Sequence, residues 1–340
     1  MDEKVNSNCT HLKTSLNNAL SSLPLVSIVM PAYNHERYVE SAIRSIWSVE
    51  YRPIEIIVIN DGSTDKTLEV LRRLELESPV RMEVIDKPNE GICKTLNLGV
   101  GIAKGKYVAF LASDDEFVPW RMASHVKLLE TNLDPSIAGC YGQQQVIDGC
   151  GKVTVEVVKR KMIYAKPMEA LLECQQPFSL QGSTFKTDVV KALGFDESLF
   201  FEDWDFFLRL NARYKFLYQP GVAFRYRGHE DGMNRNMARM ASARMEIFNK
   251  HKFQRDVVIY GVKKFRANIQ LANAQGYFLI EDFENARSWL LQSWLSYPRA
   301  VFSSIPLAAK LLAGRNLIKL ARMIKQYLLQ EKFKKRFKLG

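Results

Sequence analysis

The stretch from residue 25 to residue 65 reads LVSIVMPAYNHERYVESAIRSIWSVEYRPIEIIVINDGSTD, and it decides the fold class. Its two predominantly apolar runs, residues 25–30 and 54–60, are short, which is typical of parallel strands buried on both faces. Between them, apolar residues recur at helical spacing, at Val39, Ala42, Ile43, Ile46 and Trp47. This order of strand, helix and strand predicts a parallel βαβ unit.

The same alternation continues to residue 115. Residues 82–85 and 107–111 predict a third and a fourth strand, while apolar residues over 68–74 and the segment 91–103 predict the intervening helices. We expect Asn34 to cap the first helix. The pattern therefore predicts a mostly parallel α/β sheet with right-handed crossovers, in which ligands bind beyond the carboxyl ends of the strands.

Beyond residue 135 the pattern is mixed and then wholly helical after residue 251. Further predicted elements are a helix at 118–131, strands at 138–141, 153–158 and 183–186, and a helix at 203–213. The predicted parts of the chain are a polar lead-in (1–24), an α/β domain (25–250, with halves 25–115 and 116–250) and a helical C-terminal extension (251–340).

Composition indicates a globular, cytoplasmic protein. Of the 340 residues, 47% are hydrophobic and 25% are charged, which argues against wholesale disorder. The five cysteines lack zinc-like spacing and fit free thiols in a reducing compartment. The first 24 residues lack the apolar core of a signal peptide, and no stretch reaches the roughly 18 apolar residues of a spanning helix. We therefore expect no membrane crossing.

Two adjacent carboxylates, Asp114 and Asp115, follow the fourth predicted strand directly. Neighbouring carboxylates repel each other unless a cation or a hydrogen-bond donor lies between them, and a divalent cation is a common solution. The alternative is that they cap the helix that follows. Asp61 has a similar pair of interpretations, because its carboxylate can accept a hydrogen bond from the N3–H of a uracil base or cap the next helix together with Ser63.

A second acidic group contains Glu202, Asp203 and Asp205 in the segment FFEDWDFFLRL. Its aromatic neighbours can desolvate a carboxylate and raise its pKa, which suits a general base. Capping of an amphipathic helix is the alternative and best explains Asp205. His229, in the polar loop RGHEDG, is a candidate metal ligand or a solvated loop residue.

Other reaction classes lack their signatures. No GxGxxG or GxxxxGK[ST] segment occurs, so a dinucleotide oxidoreductase or a P-loop ATPase would lack its phosphate-binding loop. No local signature of a Ser-His-Asp or Cys-His arrangement is present. Two other function classes remain open. One is a nucleotide-sugar-binding module without catalysis, which does not need Asp203. The other is a nucleotidyltransferase, for which the first loop, PAYNHERY, lacks the expected glycines.

Five segments in order resemble glycosyltransferase family 2 over residues 25 to about 230. They are VSIVMPAYN, EIIVINDGSTD, the Gly-x5-Asn segment ending at Asn97, GKYVAFLASDD and GFDESLFFEDWDFFLRL. The resemblance implies the GT-A fold, a nucleotide diphosphate sugar as donor and an inverting transfer to a hydroxyl acceptor.

The resemblance also implies roles for individual residues. The donor would contact Pro31, Ala32, Tyr33, Asp61, Asn97 and Asp114. The metal, Mn²⁺ or Mg²⁺, would bind Asp115 and His229, and Asp203 would be the catalytic base, with Glu202 and Asp205 as second candidates. Thr95-Leu96 replaces an Ala-Arg pair that is frequent in the family before Asn97, so an expected phosphate-binding arginine is missing. No QxxRW motif follows residue 230, which indicates addition of a single sugar.

The C-terminal residues 298–340 are strongly basic. They contain eleven Lys or Arg and one Glu and carry nearly all of the net charge of +11. Apolar residues alternate with basic ones over 310–328, a pattern typical of a helix that lies on an anionic membrane surface, although a packed helix with a solvated basic face is the alternative. Nucleic acid is not an expected partner. With the family resemblance, this charge favours a polyprenyl-diphosphate-linked acceptor in bacterial surface polysaccharide (O-antigen or capsule) synthesis, on the cytoplasmic face of the membrane.

Overall fold

The computed structural model describes residues 23–157, 166–175, 179–200, 202–229 and 236–311. The chain divides into two compact units, Met1–Leu171 with Gln175–Gly232 and Leu172–Cys174 with Met233–Gly340. Strands occur in the first unit, and the described part of the second is helical apart from short connections. The boundary between the units therefore precedes residue 250, where the sequence predicts the end of the α/β domain.

A nine-stranded sheet forms the centre of the first unit, in the order β3-β2-β1-β4-β8-β6-β9-β5, with β7 paired to β6. Its strands are β1 Val26–Ala32, β2 Ile54–Asp61, β3 Arg81–Lys87, β4 Tyr107–Phe110, β5 Glu116–Phe117, β6 Ile137–Ile147, β7 Val153–Val155, β8 Ser183–Lys186 and β9 Lys215–Arg227. Strands β3, β2, β1 and β4 are mutually parallel, and β8 is antiparallel to both of its neighbours. The predicted α/β fold with a mostly parallel sheet and a helical C-terminal region is confirmed.

Helices connect these strands and make up the second unit. They are α1 Val39–Trp47, α2 Thr67–Glu77, α3 Ile92–Ile102, α4 Arg121–Thr131, α5 Pro167–Leu172, α6 Thr187–Leu193, α7 Glu202–Asn211, α8 Met237–His251, α9 Arg255–Tyr260, α10 Val262–Leu279 and α11 Phe283–Ser296. Residues 300–311 form one further helix. No helix in the described part of the chain is both long enough and apolar enough to span a membrane.

The central strands of the sheet are buried, which accounts for the apolar runs in the first half of the sequence. Strands β1 and β2 lie inside the sheet, and their residues are almost wholly buried, which fits the predominantly apolar runs that the sequence contains. Helix α3 crosses β1 closely at Gly99, where a Cβ atom would lie 2.4 Å from a methyl carbon of Val29. The core of this unit thus fixes the strand ends from which the polar loops extend.

Three local predictions were wrong or incomplete. Asn34 does not cap α1: the helix begins at Val39 after Tyr38, without a side-chain cap, and Asn34 takes a positive φ of 53°. The predicted helix at 118–131 begins only at Arg121, because Glu116–Phe117 pair with β9 as strand β5. Strand β6 extends to Ile147, well beyond the predicted 138–141, because it pairs with β9 along its whole length.

Candidate active site

Three side chains from distant parts of the sequence converge at the carboxyl edge of the sheet. His35 follows β1, Asp114 follows β4, and His229 follows β9, and each offers a ligand atom within 4.8 Å of the other two. The Nε2 atom of His229 lies 2.9 Å from Oδ2 of Asp114, and the Nε2 atom of His35 lies 3.8 Å from the same oxygen. Two imidazoles and a carboxylate in this arrangement are a suitable ligand set for a divalent cation.

Sheet topology explains why these residues meet. After β1 the chain passes to β2 and β3 on one side, and it then returns to place β4 on the other side of β1. The carboxyl ends of β1 and β4 therefore flank a topological switch point, where ligands bind in open α/β sheets. Strand β9 reaches this edge through β5, because Glu116 pairs with Arg225 and brings residue 227 level with residue 114.

Neighbouring groups fix the two histidines. The Nδ1 atom of His35 lies 2.8 Å from Oγ of Ser113, and the backbone N–H of His35 donates to Oγ1 of Thr67 at 2.8 Å. The ring of His229 packs against the ring of Tyr38, with 5.0 Å between centroids. The Nδ1 atom of His229 is buried and has no hydrogen-bond partner among the described residues. In both histidines the Nε2 atom therefore faces Asp114.

Arg227 organises this edge of the sheet, and sequence reasoning missed it. Its side chain is 3% exposed, and its Nε atom donates to the carbonyl of Asp114 at 2.8 Å. Its guanidinium also bonds Oε1 of Glu116 at 2.5 Å and lies 5.3 Å from the centroid of the Tyr38 ring. A buried arginine is stable only when it is paired in this way. The signal in the sequence was its position two residues before His229.

Asp115 lies apart from the three converging side chains. It is 1% exposed, its Oδ1 atom accepts the backbone N–H of Arg227 at 2.8 Å, and its Oδ2 atom has no partner among the described residues. Burial, together with the neighbouring Asp114 carboxylate, raises the pKa of Asp115 well above its usual range. The sequence named Asp115 as the metal ligand, whereas the structure turns Asp114 towards the two histidines.

The loops after β1 and β2 are joined by reciprocal hydrogen bonds. Oδ1 of Asn34 accepts the N–H of Thr64 at 2.7 Å, and Oγ of Ser63 accepts the N–H of Asn34 at 3.0 Å. This contact explains the left-handed backbone of Asn34, because the side chain must reach the neighbouring loop. Beside this contact, Tyr33 is 45% exposed and available to a ligand, whereas Ala32 is buried and Pro31 is half-buried.

Asp61, the predicted base-binding residue, lies at the end of β2 with several donors around it. Its carboxylate accepts the N–H groups of Glu90 at 2.9 Å and of Gly91 at 3.1 Å, and it pairs with the ammonium of Lys87. Burial raises the pKa of Asp61, but these donors outweigh burial and leave the pKa below its usual value. Asp61 therefore binds the backbone just before α3, and it does not cap the helix that follows it in sequence.

Gly62 allows the loop after β2 to approach the loop after β3. Its φ is 68°, and a Cβ atom there would lie 2.6 Å from the backbone nitrogen of Asn89. A side chain at this position would push the two loops apart. Gly62 thus holds in place the backbone amides that Asp61 binds.

Asn97, a predicted donor-binding residue, connects α3 to the loop before α7. Its Oδ1 atom accepts the N–H of Phe195 at 2.8 Å, and its Nδ2 atom donates to the carbonyl of Phe195 at 2.9 Å. The same nitrogen donates to Glu197 at 3.0 Å. Most of the hydrogen-bonding capacity of this side chain is thus used in positioning the segment that leads to Glu202.

The three carboxylates of α7 have different surroundings. Asp205 is fully buried and accepts bonds from Nε and Nη2 of Arg209, each at 2.8 Å. Arg209 in turn donates to the carbonyls of Leu193 and Gly194 at 2.6 and 2.8 Å, so this pair ties α7 to the end of α6. Glu202 and Asp203 at the start of the helix are half-buried. Desolvation, followed by the charge of Asp203, raises the pKa of Glu202 to about 8.

Comparisons with known proteins agree with this architecture. Residues 27–183 match the family model described as Glycosyl transferase family 2. A protein of Haemophilus influenzae described as an uncharacterised glycosyltransferase is 30% identical over 189 residues, which cover 55% of this chain and 72% of the relative. The hyaluronan synthase of Pasteurella multocida is 36% identical over 134 residues, which are 39% of this chain and 14% of the synthase.

Another Haemophilus influenzae relative, also described as an uncharacterised glycosyltransferase, is 35% identical over 159 residues. The match covers 45% of this chain and 49% of that relative, so the chain spans only about half of its length.

Two solved structures share the fold. The mannosyltransferase PcManGT from Pyrobaculum calidifontis, in complex with GDP-Man and Mn²⁺, superposes with a TM-score of 0.58 at 18% identity, over 91% of this chain and 86% of that chain. S. aureus TarS in complex with UDP-GlcNAc gives a TM-score of 0.52 at 16% identity, over 83% of this chain and 92% of that chain. These likenesses confirm the GT-A fold. The family-model match, and the Haemophilus influenzae relative of which this chain covers 72%, show that the chain belongs to glycosyltransferase family 2.

Proposed function

We propose that this enzyme transfers a single sugar from a nucleotide diphosphate sugar, a UDP-sugar in the simplest case, to an acceptor hydroxyl with inversion of the anomeric configuration. The observation that carries the proposal is the convergence of His35, Asp114 and His229 at the switch point of the sheet. Tyr33 and Asp61 lie on the adjoining loops, where the base and ribose of the donor would bind.

We assign the metal to Asp114, His229 and His35, and not to Asp115. Two imidazole nitrogens beside one carboxylate favour Mn²⁺ over Mg²⁺, which prefers an all-oxygen shell that includes several waters. A bound divalent ion supplies Lewis-acid neutralisation of the leaving diphosphate. Asp115 instead stabilises the site indirectly, because it accepts the backbone N–H of Arg227 and so fixes the end of the strand that leads to His229.

For the acceptor hydroxyl we propose Asp203 as the general base. Glu202 has a pKa of about 8, so at neutral pH it is mostly protonated, and the pair Glu202–Asp203 carries close to one negative charge. In the proposal, Asp203 is the member of the pair that accepts the proton. A single carboxylate held half-buried in an aromatic setting suits removal of a proton as the hydroxyl attacks. The structural role of Asp205 with Arg209 leaves it unsuited to this task.

The acceptor we propose is a polyprenyl-diphosphate-linked sugar at an anionic membrane surface, as in O-antigen or capsule synthesis. Support comes from the basic residues 298–340 and from the absence of a QxxRW motif in the sequence after residue 230. The predicted amphipathic stretch over 310–328 lies almost wholly outside the described residues. A cytoplasmic enzyme bound to the inner face of the membrane would meet such a substrate.

A donor screen with Asp203→Asn as the matched variant tests the proposal. The enzyme is incubated with UDP- and GDP-sugars, Mn²⁺ or EDTA, and a panel of lipid-linked sugars, and products are identified by mass spectrometry. We expect Mn²⁺-dependent transfer, which Asp203→Asn lowers by about 10²-fold or more with donor affinity nearly unchanged. Donor binding without any turnover by the wild type would favour a non-catalytic binding module, and full activity in EDTA would contradict the metal assignment.

A further inference from the structure

Helix α11 and the helix at 300–311 pack side by side and antiparallel. The Nε1 atom of Trp294 donates to Oγ of Ser304 at 2.7 Å, and Nη2 of Arg287 donates to the carbonyl of Leu311 at 3.1 Å. Residues on the inner sides of this pair are at most 8% exposed; they include Leu290, Ser293, Ser304 and Leu307. The pair therefore has a well-defined inner side and outer side.

Four large apolar side chains lie exposed on this pair, and we call them the apolar patch. They are Leu291, Leu295, Phe302 and Ile305, which are 54%, 75%, 77% and 54% exposed. At about 100° per residue, Leu291 and Leu295 lie roughly 60° and 100° from Trp294, while Ile305 and Phe302 lie roughly 100° and 160° from Ser304. Because the helices are antiparallel, these rotations turn both groups towards the same face.

The sequence around the apolar patch is nearly free of charge. Arg299 is the single charged residue between positions 288 and 309, in a chain of which 25% of residues are charged. Exposed large apolar side chains without charged neighbours in sequence are typical of surfaces that enter the interfacial layer of a membrane.

The sequence that follows the apolar patch is strongly basic. Lys310 is exposed, and residues 312–340 add nine Lys or Arg against one Glu. A second copy of this chain would bring two such basic segments together, which is unfavourable, whereas anionic lipid headgroups would neutralise them. We propose that the apolar patch inserts into the interface of an anionic membrane, beside headgroups bound by the basic residues. The inference rests on the proposed function only in that a lipid-linked acceptor makes such attachment useful.

Salt separates the contribution of the apolar patch from that of the basic residues. Electrostatic attraction is largely screened at about 0.5 M NaCl, where apolar insertion persists. Partitioning onto anionic vesicles is measured by sedimentation at low and high salt for the full chain and for the triple variant Leu295→Ser/Phe302→Ser/Ile305→Ser. The matched control is Leu76→Ser/Leu133→Ser, which removes two leucines that are 90% and 91% exposed in the first unit.

We expect the triple variant to lose at least about 10-fold in partition coefficient at high salt, with the control unchanged. Because the replaced side chains are more than half exposed, thermal unfolding should be unaffected. Equal partitioning of the triple variant and the control would overturn the proposal. So would a dimer in sedimentation equilibrium that the triple variant dissociates, since a second copy would then cover the patch. Vesicle binding needs no donor, so a failure of donor turnover leaves this test intact.

Discussion

The carboxylates after β4 and the carboxylates at the start of α7 have similar arrangements. In each group, acidic residues crowd together in sequence, and one of them is buried and held by an arginine or its backbone. Asp115 accepts the backbone N–H of Arg227, and Asp205 accepts two side-chain bonds from Arg209. The remaining carboxylates, Asp114 in one place and Glu202–Asp203 in the other, are only half-buried.

The two groups differ in how the buried carboxylate is compensated. Asp205 receives a full positive charge at two nitrogen donors, whereas Asp115 receives one backbone N–H, and one of its oxygens lacks a partner among the described residues. Burial with weak compensation raises the pKa of Asp115 well above its usual range. We infer that Asp205 is an anchor for α7, while Asp115 orients the backbone that leads to His229.

Replacing each carboxylate of the first group by its amide tests this difference most directly. Asp114→Asn should lower metal-dependent transfer by about 10³-fold, because it removes a carboxylate from the proposed metal site. Asp115→Asn should stay within about 10-fold of the wild type, because an amide oxygen can still accept the N–H of Arg227. Steady-state kinetics and Mn²⁺ titration by calorimetry measure both effects. If Asp115→Asn is the more damaging change, Asp115 binds the metal and the sequence-based assignment was right.

The sequence could predict which strands carry the site, but not which of two neighbouring carboxylates points outward. Apolar runs locate β1, β2 and β4. The carboxyl ends of parallel strands lie at the same edge of a sheet, so the loops that follow these strands must lie close together. The choice between Asp114 and Asp115 depends on the backbone N–H of Arg227, which is 112 positions further along the chain and visible only once β9 is paired with β5. The convergence of His35 with Asp114 was missed because a histidine after PAYN has no local signature of metal binding.

The same limit applies to the predicted donor and capping residues. Asn34 was assigned to the start of α1, and its side chain instead bonds the loop after β2. Asp61 and Asn97 bond segments that come later in the chain, near Gly91 and Phe195. Side chains at loop tips bind whatever the fold brings near them, and local sequence contains little information about such partners.

The second group can be tested through stability. Asp205→Asn should lower the free energy of unfolding by about 3 kcal/mol, because Arg209 would remain in place without its counter-charge. The matched control is Glu169→Gln, which removes the exposed ion pair with Lys166 and should cost no more than about 0.5 kcal/mol. Urea unfolding of both variants measures the difference. A loss equal to that of the control would mean that Asp205 does not anchor α7.

The last prediction concerns Glu202 and the pH dependence of stability. Its pKa is about 8 in the folded protein and has a reference value of 4.5, so the folded state binds the extra proton between these values. The stability that this proton contributes is therefore complete below about pH 4.5 and is lost as pH rises through about 8. Glu202→Gln has no proton to lose, so its stability should fall less steeply than that of the wild type between pH 5 and pH 9, as followed by urea unfolding at several pH values.

The same variant should retain transfer at pH 7, because a glutamine resembles the protonated acid beside Asp203. Parallel stability curves for the variant and the wild type would mean that Glu202 is ionised in the folded enzyme, and the negative charge could then no longer be assigned to Asp203 alone.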